Sequence, residues 1–412
     1  MKHHLSQILA ILVFPLLLGA QDQVQTIRGN IFDQDTQQPL IGATMLVTDL
    51  ETPLGAVTDL DGYFELEVPV GRHRLEFQYL GYEPFVIEDA IVNSAKELVL
   101  QINLIEGTSL DEVVVSARKH GNDPLNALAV VSTRSFSVEE TQRYAASAND
   151  PSRMALGFPG VQGSRDARSD IVIRGNAALG LLWRLEGIDI PNPNHFARRG
   201  SSGGGITVFS VSMLSNSDFS TGAFPAMYGN ALSGVFDIQF RIGNMEKKEY
   251  TIRAGMLGLD FATEGPIKKG KSSYLFNYRY STLGILDAFD IRLVSERESN
   301  RFQDFSFKLN FNSNNNKHIT TVWGIGGRSA EFEEAVPGVE NWLKFTDYLT
   351  RDFDTDMGVV GVNHNYLIDD KSYIRAGVAV MGQRILYRND TLDQNLTATV
   401  LNDQLYSNSR VV

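Results

Sequence analysis

Residues 170–193 read DIVIRGNAALGLLWRLEGIDIPNP and residues 217–241 read SDFSTGAFPAMYGNALSGVFDIQFR. The first stretch holds two apolar runs, Ile171–Ile173 and Leu181–Leu185, bounded by charged residues and glycine-containing turns, and it predicts a small β-sheet. After the second stretch the sequence changes character. From Tyr250 apolar and polar residues alternate with period two. Phe305, Phe307, Leu309 and Phe311 share one strand face, and Ser306, Lys308, Asn310 and Asn312 share the other, as in a membrane barrel with apolar residues outside and polar residues inside. Tyr274, Phe276, Tyr278 and Tyr280 repeat the pattern. Ile374, Ala376, Val378 and Val380 alternate with Tyr373, Arg375 and Gly377, while Ile319, Thr321, Trp323 and Ile325 predict a further strand.

A soluble sandwich alternates in the same way, so the connections decide. Brief turns near Gly265–Lys271, Ser313–Asn316 and Asp369–Lys371 alternate with long polar stretches, Asp287–Arg301 and Arg328–Asp356. Short turns on one side and long loops on the other are the outer-membrane pattern. A phase slip at Gly255–Gly258 predicts a bulge or a tight hairpin there.

The two opening stretches together resemble the plug domain of TonB-dependent outer-membrane receptors. The residues that carry the resemblance are Ile173-Arg174-Gly175, Leu185-Glu186-Gly187-Ile188, Gly222, Pro225-Ala226, Tyr228-Gly229, Ser233-Gly234-Val235 and Ile238. Glu186 departs from the family, which more often has Asp there. The resemblance implies a plug at residues 122–243, followed from residue 249 by the first strands of a transmembrane antiparallel β-barrel. Within the plug, Ser137 with Glu140 forms a capping box and Asp150-Pro151 a cap followed by proline, so helices are few and short.

Residues 24–105 alternate between tight turns and short runs with strand character. Thr26–Phe32, Ala43–Val47, Tyr63–Val68, His73–Tyr79, Phe85–Ile91 and Glu97–Leu104 predict a small antiparallel sandwich. Gly29, Pro39-Leu40-Ile41-Gly42-Ala43, Thr58-Asp59, Asp61-Gly62-Tyr63-Phe64, Pro69, Gly71 and Gly81-Tyr82 resemble the carboxypeptidase regulatory-like, transthyretin-like domain. That resemblance implies a fold and no peptidase chemistry. Asp59-Leu60-Asp61-Gly62 lacks the remaining ligands of a calcium loop and reads as a hairpin turn. The fold class is therefore mainly β: a transthyretin-like sandwich, an α/β plug, then the start of a barrel.

Residues 110–117, between sandwich and plug, contain Asp111, Glu112, Val113, Val114, Val115 and Ser116. Consecutive β-branched residues favour an extended chain, and the flanking acids keep it soluble. The segment resembles a TonB box, which implies strand addition to the periplasmic TonB protein and its inner-membrane energising complex. An extra sandwich strand or a linker is the other reading of the same residues.

Residues 1–20 read as a cleavable secretory signal, with Lys2, an apolar run from Ile8 to Leu18 broken by Pro15, and Leu18-Gly19-Ala20 at the cut. The apolar run is shorter than the ~20 residues a transmembrane helix needs. The chain of 412 residues has no cysteine and a formal charge of -12. Disulfides, thiolate zinc sites and thiol catalysis are thereby excluded, and no clustered basic face for nucleic acid is present. There is no H-E-x-x-H, G-x-S-x-G or P-loop, so no enzyme, cofactor or metal site is expected.

The loop Asn192–Gly205 is polar and rich in glycine. His195, Phe196, Arg198 and Arg199 are candidates for ligand contact, with packing against barrel carboxylates as the alternative. The resemblance implies active uptake of a scarce nutrient, such as a siderophore, metal complex, peptide or glycan, across a Gram-negative outer membrane among outer-membrane lipids. An adhesion or signalling protein on the same scaffold is the rival. The order of sandwich, TonB-box-like segment, plug and barrel start implies by the same resemblance a Bacteroidetes type, within which a SusC-like glycan importer with a surface lipoprotein lid is a further alternative, from which Gly222–Gly229 departs. After Gly243 roughly seven or eight strands of ~9–11 residues fit, against about 22 in plugged transporters. The expectation is an N-terminal fragment or a truncated frame.

Overall fold

The computed structural model describes residues 24–50, 52–94, 97–107, 132–136, 150–163, 168–201, 203–255, 258–289, 291, 297–369, 372–395 and 397–412. The signal segment at 1–20, the segment Asp111–Ser116 and the capping box at Ser137 and Glu140 lie outside the described residues.

The sandwich comprises β1 (Val24–Asp33), β2 (Thr44–Val47), β3 (Leu54–Val57), β4 (Tyr63–Pro69), β5 (Gly71–Gln78), β6 (Phe85–Val92) and β7 (Leu98–Leu104). They form two sheets, in the orders β4-β1-β7 and β3-β2-β5-β6. Between the sheets lie Ile27, Ile31, Met45, Phe64, Leu75 and Phe77, all buried. The sheets are not wholly antiparallel, because β1 and β7 run parallel. The chain leaves β6 in one sheet and enters β7 in the other, so a crossover rather than a hairpin sets the direction of β7. The turn before β4 is held by Asp59, whose Oδ1 accepts from the backbone N–H groups of Asp61 and Tyr63 at 2.9 Å each.

The next module comprises β8 (Thr133–Phe136), α1 (Pro151–Met154), β9 (Val161–Gly163), β10 (Ile171–Ile173), β11 (Leu181–Leu185), β12 (Ile188–Asp189), β13 (Asn194–His195), β14 (Ile206–Thr207), β15 (Ser217–Ser220) and β16 (Gly234–Ile238). Asp150 caps α1, as the Asp-Pro pair predicted, its carboxylate accepting from the Ser152 N–H. The two apolar runs that predicted one sheet enter two. β10 pairs with β9, and β11 lies inside a five-stranded sheet of order β12-β11-β16-β15-β8. All five residues of β11 are buried, which explains why four of them are apolar, since an interior strand covered on both faces has no solvent side to present; the fifth, Arg184, is paired with Asp189 at 3.0 Å and Asp237 at 3.2 Å.

Eight strands follow: β17 (Glu249–Ala254), β18 (Leu259–Lys268), β19 (Ser272–Tyr280), β20 (Glu298–Asn312), β21 (His318–Glu333), β22 (Leu349–Asp369), β23 (Ser372–Leu392) and β24 (Ala398–Val411), with α2 (Thr282–Asp287) between β19 and β20. They form one antiparallel sheet in chain order, open at β17 and β24, and its concave side holds the preceding module. Burial is inside out. Ser306, Lys308 and Asn310 are buried, while Phe305 and Phe311 are exposed, and the rings of Phe276, Phe305 and Phe307 lie about 6.0 Å apart along the outer face.

The further strand expected at Ile319, Thr321, Trp323 and Ile325 forms as β21, and its apolar residues point inward: Trp323 and Ile325 join Met357, Val359, Ala379 and Met381 in a core shared with Trp183, Phe209 and Phe236 of the enclosed module. One expectation about the wall needs correction. The stretch Arg328–Asp356 is strand at both ends, since β21 and β22 stay paired from Arg328↔Asp356 to Glu333↔Arg351, and only residues 334–348 form the connection. Its charges pair across the ladder, with Arg351 to Glu333 at 2.7 Å and Arg328 to Asp356 at 3.4 Å. β22 has 21 residues, about 70 Å of strand, far more than a ~30 Å hydrocarbon core requires even when tilted. These strands continue beyond any bilayer as a paired ribbon.

Candidate functional site

The inner face of the wall is charged where it meets the enclosed module. Asp260 and Glu264 on β18, Asn277 and Arg279 on β19, and Asp304 and Lys308 on β20 are all buried, and five of the six bond directly across the contact. Ser210 donates to Asp260 at 2.7 Å, and Asn277 supports the same carboxylate at 2.9 Å. Arg241 makes a two-pronged pair with Glu264, 2.7 Å on each arm, and the Asn244 N–H adds a third donor at 2.9 Å. Arg279 binds Asp304 through Nε and Nη2 at 2.9 and 2.7 Å, and also donates to the Thr207 carbonyl at 2.5 Å. Lys308 reaches Glu186 at 2.9 and 3.1 Å and the Phe240 carbonyl at 2.7 Å.

Buried ion pairs of this kind are a poor source of stability compared with an apolar contact, but each removes a large penalty for the other's burial. They make a contact that is specific, and that opens along polar surfaces water can rewet.

The polar loop from Asn192 to Gly205 splits in its behaviour. His195 is 2% exposed. Its Nε2 lies 2.9 Å from Asp304 and its ring 4.6 Å from that of Phe302. The wall admits it at Gly327, where a Cβ would stand 2.9 Å from the His195 ring. His195 therefore packs against a barrel carboxylate, the alternative weighed from the sequence. Burial, with Arg279 beside the same carboxylate, holds its imidazole below the ordinary histidine range despite the pull of Asp304. Phe196 donates its N–H to Ser329 at 2.9 Å. Arg198 and Arg199 stay exposed, lying over the rings of Phe353 and Tyr406 at 5.4 and 5.2 Å. Of the four, only these two present charge to solvent.

On the short-turn side a cavity of about 740 Å³ separates the module from the wall and the sandwich. Glu186, Tyr228, Asp237, Asn310, Asn363 and Arg375 line it, with Phe32, Gln34 and Gln101 of the sandwich. Burial pushes the Asp237 carboxyl up, against the pull of Arg184.

The sandwich is docked below this cavity by polar contacts. Arg28 bonds Glu97 at 2.7 Å and also Glu249, Lys247 bonds Glu97 at 2.5 Å, Lys271 bonds Asp61 at 2.9 Å, and the Ile242 N–H donates to Gln101 at 2.8 Å. Burial alone would raise Glu97, yet the Arg28 and Lys247 bonds outweigh it and hold the carboxyl below the usual range. Arg28→Met is expected to weaken the docking by about 2 kcal/mol, the scale of lost charge-assisted hydrogen bonds. Hydrogen exchange should then rise at residues 242–249 while the sandwich core stays protected, because that core is separate. Unchanged exchange at 242–249 would show that Arg28 does not hold the contact.

None of these pairs was singled out from the sequence except through alternation. The available signal was charge at every second or fourth position of β18 to β20, on the face opposite the aromatic residues.

No curated protein matches the chain. Among solved structures, a ferric enterobactin receptor variant of Pseudomonas aeruginosa (PfeA) with enterobactin is 16% identical, covering 68% of this chain and 45% of that one, with a TM-score of 0.41. The siderophore receptor PirA of Acinetobacter baumannii is 13% identical over 67% of this chain and 47% of that one, with a TM-score of 0.38. The ferric citrate transporter FecA, unliganded, is 11% identical over 68% and 53%, with a TM-score of 0.41. The chain thus spans about half the length of the solved receptors it matches. Residues 27–115, the sandwich and the segment after it, match the CarboxypepD_reg-like domain family.

Proposed function

We propose that this chain belongs to a TonB-dependent outer-membrane receptor that takes up a scarce nutrient, with residues 122–243 as its plug and β17 to β24 as part of its barrel wall. One observation carries the reading: strands β18 to β20 of the wall are apolar outside and charged inside, and their inner charges are neutralised by the enclosed module. A soluble domain would have no use for an aromatic outer face joined to a buried ionic inner one. Uptake requires a closed wall, so the proposal concerns the protein in which the edges of β17 and β24 are paired.

In this reading Asp111–Ser116 is the strand that TonB grips, and Arg198 and Arg199 are the loop residues that meet the ligand. The sandwich forms an inner floor. A ligand that passes the plug on the short-turn side enters the cavity above it, so undocking at Arg28 and Lys271 is part of the same opening. The test is deletion of Asp111–Ser116 in cells, followed by uptake at fixed outer-membrane level of the protein. Uptake is expected to stop. Undiminished uptake would sink the reading, and persistence of surface adhesion as the only phenotype would favour the adhesion protein.

A further inference from the structure

Near the short turns, on the face of the wall turned away from the plug, two imidazoles from neighbouring strands meet. His318 opens β21, and His364 lies on β22 in register with Thr320. Ile319 is buried on the inner side, and strand alternation therefore sends His318, Thr320, His364 and Tyr366 outward. His318 Nδ1 and His364 Nε2 are 3.4 Å apart, with the ring centres 5.5 Å apart and the planes inclined by 32°. The second nitrogen of His364, Nδ1, lies 2.9 Å from Thr320 Oγ1. His318 is stacked on Tyr366 at 4.5 Å and 13°.

A separation of 3.4 Å is long for a direct nitrogen-to-nitrogen hydrogen bond. It is the separation of two nitrogens on one tetrahedral ion: metal–nitrogen bonds of ~2.0–2.1 Å at the tetrahedral angle place the nitrogens about 3.4 Å apart and the ring centres roughly 5 Å apart. Thr320 supplies what a ligating histidine needs behind it. When His364 Nδ1–H donates to the hydroxyl, Nε2 carries the lone pair, and the ring is held in that orientation. Stacking on Tyr366 restrains the other ring.

The geometry points to a site for a borderline transition-metal dication bound by His318 Nδ1 and His364 Nε2 with water completing its shell: Zn(II), whose tetrahedral angle the separation matches, or Cu(II) and Ni(II), whose square angle needs the nitrogens about 2.9 Å apart and therefore a small rotation of the exposed His318 ring. Calcium and magnesium are excluded because they demand oxygen ligands. Among the described residues no group of three or more histidines and carboxylates could hold a metal, so this is an open site with two protein ligands. Its affinity follows the order Cu(II) above Ni(II) and Zn(II). His318 is exposed and His364 half-buried, so the ion enters from water at the rim and ties β21 to β22. The inference does not depend on nutrient uptake.

The experiment is titration of the chelator-stripped protein in detergent micelles with Cu(II) and Ni(II), by calorimetry and, for copper, by electron paramagnetic resonance. One equivalent with nitrogen ligation is expected. His318→Gln and His364→Gln should each weaken it at least tenfold, and Thr320→Val should weaken it a few-fold. The double variant H318Q/H364Q measures binding elsewhere on the chain, where further histidines lie. A wild-type isotherm that superimposes on that of the folded double variant overturns the site. If a variant misfolds, the wild type decides alone: Ni(II) must shield His318 and His364 from carbethoxylation, and equal labelling with and without metal overturns it.

Discussion

Replacing Lys308 with methionine is expected to weaken the hold of the wall on the plug by about 3–5 kcal/mol, the usual consequence of stranding one member of a buried ion pair. Lys308 and Glu186 are both largely buried, and Lys308 Nζ also satisfies the Phe240 carbonyl. Glu186 sits at a strained place. It and Gly187 form the two-residue turn joining β11 to β12, with φ of 52° and 83°. Two successive positive φ values suit Asn-Gly or Asp-Gly, and a longer side chain there is disfavoured. The longer reach is what the site uses: Glu186 Oε1 accepts from the Phe240 N–H at 2.7 Å while both oxygens meet Lys308. The surrounding bonds from Asn363 to the Glu186 carbonyl and from Glu186 N–H to Ile238 fix the turn in that conformation. Without Lys308 the carboxylate remains buried with one donor, and the turn loses what offsets its strain. Hydrogen exchange at residues 186–188 and 240 should accelerate roughly a hundredfold or more, at 1.36 kcal/mol per tenfold. The double variant E186Q/K308M should recover most of the loss, because it removes the stranded charge. A K308M protein with wild-type exchange at these positions would refute the idea that this pair locks the plug.

How far the sequence could be read depended on range. Phe305, Phe307, Leu309 and Phe311 announced an apolar outer face because alternation is local, and the exposed Phe305 beside the buried Ser306 bears it out. Alternation is symmetric, however, and does not say which face is inside. Trp323 and Ile325 belong to the inner face because the plug offers them Trp183 and Phe209, partners over a hundred residues away. The apolar runs of β10 and β11 looked like neighbours because they are close in sequence, whereas β11 finds β16, a parallel partner no turn could reveal. The strand Leu54–Val57 went unread, since it is short and holds Gly55. His195 looked available in a polar loop, and what buries it is Asp304. The residues that hold plug to wall are individually ordinary acids and bases, and only the closing of the sheet around the plug brings them together.

Asp304→Ala is expected to be as damaging as K308M, about 3–5 kcal/mol, and to change the response to acid. One oxygen of Asp304 receives all three donors, His195 Nε2 at 2.9 Å and Arg279 at 2.7 and 2.9 Å, and its side chain has no exposed surface. Its loss strands Arg279, a buried guanidinium whose remaining bond in the contact is to Thr207. His195→Gln removes one neutral donor and should weaken the contact by only about 1 kcal/mol, so the two variants separate charge from packing. The acid response belongs to His195. In the folded protein burial depresses its pKa below the unfolded value of about 6.5, so between the two values the unfolded or undocked state binds the extra proton. Stability from this group is fully present above about pH 6.5 and falls as pH drops below it, towards the depressed folded value. Local exchange at residues 194–207, followed from pH 8 to 5 with the intrinsic rate divided out, should show the plug loop loosening on the acid side in the wild type. The slope should flatten in H195Q, which has no imidazole to titrate. An equal acid response in both proteins would transfer the effect to carboxylates elsewhere in the contact and leave His195 as packing alone.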